Sequence, residues 1–214
     1  MAIRVTSRII AFVLIFILCA GTLQYFSFQT DIAFLKLKKF AVRTGWYLPA
    51  FYAHIWGSSI ILICGFFQFT RIVYDNKKLH RLLGKIYVFG VLFFAAPGAY
   101  VMTFFIHRGR GAFISFLLQN SLWIVFTALA WVAIKKGRLD EHIRMMHRSY
   151  AMAFAAITLR LYIWMFSLFG SGVSFAHNYF IIAFLSWVPN LMLVEVINYR
   201  TKILRFFKRS NASA

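Results

Sequence analysis

Long apolar runs separated by short basic stretches set the pattern of this 214-residue chain. Six runs, about 9–26, 47–69, 86–106, 112–134, 151–170 and 179–199, are of spanning length, since about 20 residues at 1.5 Å of rise cross roughly 30 Å of hydrocarbon. Hydrocarbon offers no partner to a backbone N–H or C=O, so each run must close its own hydrogen bonds as a helix. The runs are also too long and too evenly apolar for the alternating strands of a membrane barrel. The pattern therefore predicts an all-α integral membrane protein, a six-transmembrane-helix bundle. Pro97-Gly98 and Pro189 lie inside the third and sixth runs and are expected to bend them. The first run outlasts the apolar core of a signal peptide and lacks a small-residue cleavage site, so retention as the first span is expected.

Composition strengthens this reading. Hydrophobic residues make up 62% of the chain and charged residues only 14%, against roughly 45–50% apolar in soluble domains. The net charge of +19 raises the question of nucleic acid, but the cations interrupt apolar runs and do not form one face. No nucleic-acid partner is expected, and the lipid bilayer takes that place. With a cytoplasmic N-terminus, one side collects Arg4, Arg8, Arg71, Lys77, Lys78, Arg81, Lys85, Lys135, Lys136, Arg138, Arg144, Arg148 and the tail cations from Arg200 to Arg209. The other side holds only Lys36, Lys38, Lys39, Arg43, Arg108 and Arg110. The excess of Lys and Arg on cytoplasmic loops then places both termini in the cytoplasm. Three regions follow: 1–45, the first helix with a basic outer loop; 46–200, a five-helix core; and 201–214, a basic cytoplasmic tail suited to lie on anionic lipid. Cys19 and Cys64 sit inside apolar runs and read as packing residues.

Charged and polar groups within the spans carry the functional signal. Arg160 lies near the middle of the fifth run, and a charge at that depth is costly by about 2.5 kcal/mol or more, so it is a functional-site candidate by default. Glu195, the acid inside the sixth run, is its expected charge partner across an offset of about 7 Å along the helices. Asn190 supplies an amide near the centre of the same run. On the second run, His54 begins a stripe with Gly57, Ser58, Gly65 and Gln68 within about 60° of one direction. That stripe fits either close helix packing or a ligand face. His80 and His147 lead into the third and fifth runs at matching depth. Two such imidazoles could bind one metal or haem iron from opposite sides, or simply accompany the basic residues of juxtamembrane loops.

Five ordered blocks resemble a prokaryotic membrane protein family filed as domain of unknown function 2306. They are His54-Ile-Trp-Gly57, Gly65-Phe-Phe-Gln68-Phe69, Leu79-His80-Arg81-Leu-Leu-Gly84-Lys-Ile-Tyr87, the stretch His147-Arg148-Ser149-Tyr150 through Thr158-Leu-Arg160-Leu-Tyr162, and Trp187-Val-Pro189-Asn190 through Glu195. They run from about residue 46 to 196. Lys85 stands where Arg is usual, and Met152 where Leu is common. The resemblance implies a multi-pass protein of the cell inner membrane with His54, His80, His147, Arg160, Asn190 and Glu195 as family-type polar positions. It implies no activity.

Three readings stay open. In the first, the chain is a b-type haem-binding redox or electron-transfer protein with His80 and His147 as ligands, His54 as a further candidate, and Gly65 and Gly84 leaving room for the porphyrin. In the second, it is a carrier or receptor for a small polar or anionic ligand, or a quinone headgroup, at Arg160, with Glu195, Asn190 and Gln68 as further ligand contacts. In the third, it is a structural or accessory subunit of a membrane complex whose polar groups zip helices together. Whether it is an enzyme is open on the sequence.

Overall fold

A computed structural model describes residues 2–169 and 175–210, with side chains over 6–169 and 178–200. Helix α1 (Ala2–Thr22) runs into a 3-10 turn (Leu23–Ser27), and two short helices, α2 (Ala33–Lys36) and α3 (Lys39–Arg43), occupy the following loop. Next come α4 (Tyr47–Gln68), the short α5 (Arg71–Asp75) and α6 (Lys77–Gly90), which passes through a π turn (Val91–Ala95) into α7 (Ala96–Phe104). A long hairpin follows, α8 (Arg110–Lys135) with α9 (Leu139–Phe169), and the chain ends in α10 (Phe175–Leu185) and α11 (Val188–Ser210). All regular structure among the described residues is helical. Six segments are long and apolar enough to cross a membrane: Thr6–Ser27, Tyr47–Gln68, Lys77–Phe104, Arg110–Lys135, Leu139–Phe169 and Asn178–Arg200. The expected six-helix architecture is present.

Two spans begin well before their apolar runs. The third helix starts at Lys77 because Asn76 caps it, its Oδ1 accepting from Leu79 N at 3.1 Å, the role in which a short polar side chain satisfies an otherwise orphaned donor. The fifth starts at Leu139, after Gly137 turns the chain with φ +71°. Arg138 N then donates to Ala133 O at 2.9 Å, the six-to-one bond that ends helices at a left-handed glycine. His80, His147 and Arg148 therefore stand on helices and not in loops.

Both prolines fall at interruptions of their spans. Ahead of Pro97 the third span widens into the π turn, and ahead of Pro189 the sixth span breaks between Leu185 and Val188. A proline cannot donate to the residue four before it, so the backbone must loosen there. Side chains of the basic tail beyond Arg200, and that of Arg4, lie outside the described residues.

The principal core joins α4, α6, the π turn, α8 and α9 through Ile61, Leu62, Tyr87, Val91, Trp123 and Met152, with Ile15 of α1 and Trp187 completing it. Near the end of the bundle opposite most of the basic residues, Tyr25, Leu35, Tyr47, Phe51 and Ile55 form a second cluster under the α2–α3 loop. Lys38 ties that loop to the end of α7 by donating to Phe105 O at 2.7 Å. Burial, and next the nearby Arg108, hold its ammonium below the usual lysine range.

Glycine lets α7 and α4 touch backbone to backbone. A methyl at Gly98 would strike Ala50 O and lie 2.9 Å from His54 N, atoms that cannot swing aside. Gly98→Ala is therefore expected to lower stability by about 1–3 kcal/mol, the range for overpacking a filled interior. Gly21→Ala, with open space beside it, should be near neutral. Thermal unfolding of the two variants in detergent checks the contrast.

Candidate functional site

The polar residues of the spans form three groups. The first serves interrupted backbone. At the π turn, the Ala95 carbonyl accepts from His54 Nδ1 at 2.8 Å, and Ser58 Oγ lies 3.4 Å from the same nitrogen. Gly57 brings α4 against Phe94 and Ala95, so the small-residue stripe is a close-packed face in this region. At the break before Pro189, the Ser186 carbonyl accepts from Thr158 Oγ1 and, at 3.0 Å, from Asn190 Nδ2. Asn190 Nδ2 also donates to Thr158 Oγ1 at 3.1 Å. Gln68 is buried and donates to His80 O at 2.9 Å.

A second group clamps α9 to α11 near the basic end. Arg148 Nε donates to Glu195 Oε1 at 2.5 Å and Nη2 to Oε2 at 2.8 Å, the paired fork geometry that makes guanidinium and carboxylate a strong match. The expected Arg160–Glu195 pair is thus replaced by Arg148–Glu195. The early start of α9 puts Arg148 at the depth of Glu195, whereas Arg160 lies three turns further on. One turn away, His147 Nδ1 donates to Asn198 Oδ1 at 2.9 Å, and Asn198 Nδ2 reaches Arg144 O at 3.5 Å.

Beside this clamp lies a groove of about 330 Å³. Helix α9 lines it with His147, Tyr150, Ala151 and Phe154, spaced i, i+3, i+4, i+7, which is one helical face. Helix α11 contributes Asn190, Leu193, Val194 and Ile197 at the same spacing, and Phe69 closes the basic end. The volume is at the lower end of small-molecule sites, which are apolar with a few placed polar groups.

The third group surrounds Arg160. Its Nη1 donates to Ala156 O on its own helix at 2.8 Å. Among the described residues no carboxylate meets it, for the three ion pairs use Asp75, Glu141 and Glu195. The side chain is accessible, yet Cys19, Tyr25, His54 and Tyr179, on four other segments, are within electrostatic reach.

The clearance expected for a porphyrin beside Gly65 and Gly84 is filled. A methyl at Gly65 would collide with the Tyr150 ring and lie 3.2 Å from Tyr87, and one at Gly84 would lie 2.8 Å from Gln68 Nε2. His80 Nδ1 is buried with no hydrogen-bond partner among the described residues, and the imidazole within its electrostatic reach is His142. His147 instead faces Asn198 and the ring of Phe69, 5.6 Å away.

A model of a family described as predicted membrane protein, DUF2306, matches residues 51–198. The chain belongs to that family. No curated protein and no solved structure matches it. The match runs from within α4 to the middle of α11, and so takes in the clamp, the groove and Arg160, while α1 precedes it.

Sequence reasoning missed Arg148, Asn198 and Thr158. The signal for Arg148 was available: His142, Arg144 and Arg148 follow the acidic pair Asp140-Glu141, and acids in a first turn followed by cations mark a helix that starts earlier than its apolar run. The ion pair is partly open, with side-chain exposures of 21% for Arg148 and 45% for Glu195, so screening limits its strength. A double-mutant cycle of Arg148→Ala and Glu195→Ala should give a coupling of about 1 kcal/mol. The same cycle on Arg160 and Glu195 should give none beyond error.

Proposed function

We propose that this DUF2306 protein is a multi-pass receptor or carrier, its basic end in the cytoplasm, that binds a small anion at Arg160 in the half of the bundle away from that end. One observation carries the reading: a guanidinium near the middle of the fifth apolar run meets no acid among the described residues and spends one donor on its own helix. A lone cation in hydrocarbon is costly by about 2.5 kcal/mol at the least, and a bound carboxylate or phosphate would remove most of that cost. Guanidinium suits either, because its planar fork can donate two parallel hydrogen bonds to one anion.

The surroundings supply further recognition. His54 donates through Nδ1, which leaves Nε2 of the neutral ring as an acceptor. Tyr25 OH accepts from Phe34 N at 3.2 Å and so retains its own proton to give. An anion that also carries a hydroxyl or a protonated acid group would use both donors and acceptor.

The test is a thermal-shift screen of the purified protein at low salt with inorganic phosphate, succinate and benzoate. At least one is expected to raise the unfolding temperature, by about 3 kcal/mol of stabilisation at a hundred times its dissociation constant. Arg160→Gln should abolish the shift and Arg160→Lys retain part of it. An unfolding temperature that none of the anions moves, with Arg160→Gln as stable as the parent, would show that the guanidinium needs no ligand and sink the proposal.

A further inference from the structure

We infer that the groove between α9 and α11 is a second binding site, for a lipid-soluble aromatic alcohol of the quinol type, with His147 accepting the ring hydroxyl. The polar groups facing the groove have already committed their protons. His147 Nδ1 donates to Asn198 Oδ1, and the reverse orientation of that amide is disfavoured because Asn198 Nδ2 reaches the Arg144 carbonyl. In the neutral ring Nε2 is then a bare acceptor, and it has no hydrogen bond among the described residues. Tyr150 donates its hydroxyl proton to Leu62 O at 3.1 Å. Asn190 spends Nδ2 on Thr158 and Ser186, which leaves Oδ1. A ligand entering this groove is offered acceptors and must bring a donor.

The walls select the rest of the molecule. Phe69 stands 5.6 Å from His147 and 5.2 Å from Tyr150, ring centre to ring centre. These three rings form an aromatic end into which a planar ring packs by offset or edge contacts. Beyond them the groove is apolar up to Asn190. Asn198, at the level of His147, and Asn190 are eight residues apart on α11, so the two polar ends are separated by about 12 Å. One ring cannot bridge that length, so the ring occupies the His147 end and an aliphatic tail lies along Leu193 and Phe154. Leu193 is 63% exposed and Phe69 42%, so the groove opens sideways to lipid, from which such a molecule would enter.

Acceptor-only chemistry gives a sharp discrimination. A quinol has hydroxyl donors, while the matching quinone has only carbonyl acceptors and would face Nε2 with a repulsive lone pair. An unmatched buried polar contact is more damaging than the mean worth of a hydrogen bond. Binding of decylubiquinol and decylubiquinone to the full-length protein in phosphatidylcholine nanodiscs, followed by tryptophan fluorescence, tests this. The quinol is expected to bind about tenfold more tightly than the quinone. His147→Phe, which keeps the ring and removes the acceptor, should erase that preference. Leu193→Trp, at a lipid-exposed edge where bulk is tolerated, should block both probes without lowering the unfolding temperature. Arg160→Gln should leave quinol binding unchanged, which separates this site from the anion site. Equal affinity for the two redox forms, a preference that survives His147→Phe, or no saturable binding of the quinol would each overturn the inference.

Discussion

A backbone carbonyl released from its helix inside a membrane has no water to turn to, and this constraint organises the polar side chains of the bundle. The π turn and the break before Pro189 each leave carbonyls short of partners. His54 supplies the donor at Ala95, and Thr158 and Asn190 supply those at Ser186, while Gln68 to His80, Tyr150 to Leu62 and His142 to Ala130 add cross-helix bonds to carbonyls inside regular helices. Each such bond ties two segments that would otherwise meet only through side-chain packing, which in lipid lacks a hydrophobic driving force. The polar residues expected to mark a ligand site therefore act in large part as internal solvent for the fold.

Against that background the exceptions carry the functional argument. Glu195, Gln68 and the Nδ1 of His54 all have internal partners, so their presence in a span needs no ligand to explain it. Among the described residues Arg160 has one bond, to its own helix, and four other donors on its guanidinium. His147 has one bond, to a side chain, and a free acceptor on the opposite side of its ring. An accessory-subunit role, in which polar groups only zip helices together, accounts for the first set and leaves Arg160 with no acid among the described residues.

The architecture was legible because hydropathy reports on the bilayer directly: six runs of sufficient length became six spans, and both prolines marked interruptions. Helix ends were less legible. Apolar length locates the hydrocarbon, whereas Asn76 and Gly137 set the starts of α6 and α9 through capping and turn geometry outside it. That difference misplaced Arg148 and assigned Glu195 to the wrong arginine. The polar residues of the spans were legible in the sequence but their partners were not, since composition cannot say which way a helix is rotated. Gly65 shows the difficulty: a glycine beside a histidine stripe could make room for a cofactor, and here makes room for the Tyr150 ring.

Helix α9 joins the two proposed sites and keeps them apart. His147 and Arg160 are thirteen residues distant, about 20 Å along the axis and about 140° around it, so one faces α11 near the basic end and the other the side of Cys19, His54 and Tyr179. Direct contact between their ligands is excluded by that geometry. Any coupling must pass through α9 as a body, and the element able to shift with it is the polar knot of Thr158, Ser186 and Asn190. Thr158 stands two residues from Arg160, while Asn190 closes the groove that begins at His147. An anion that moved Arg160 would bear first on Thr158, then on the amide that donates to it, and so on the far end of the groove. Such a path couples the sites only if the knot has two arrangements of similar energy.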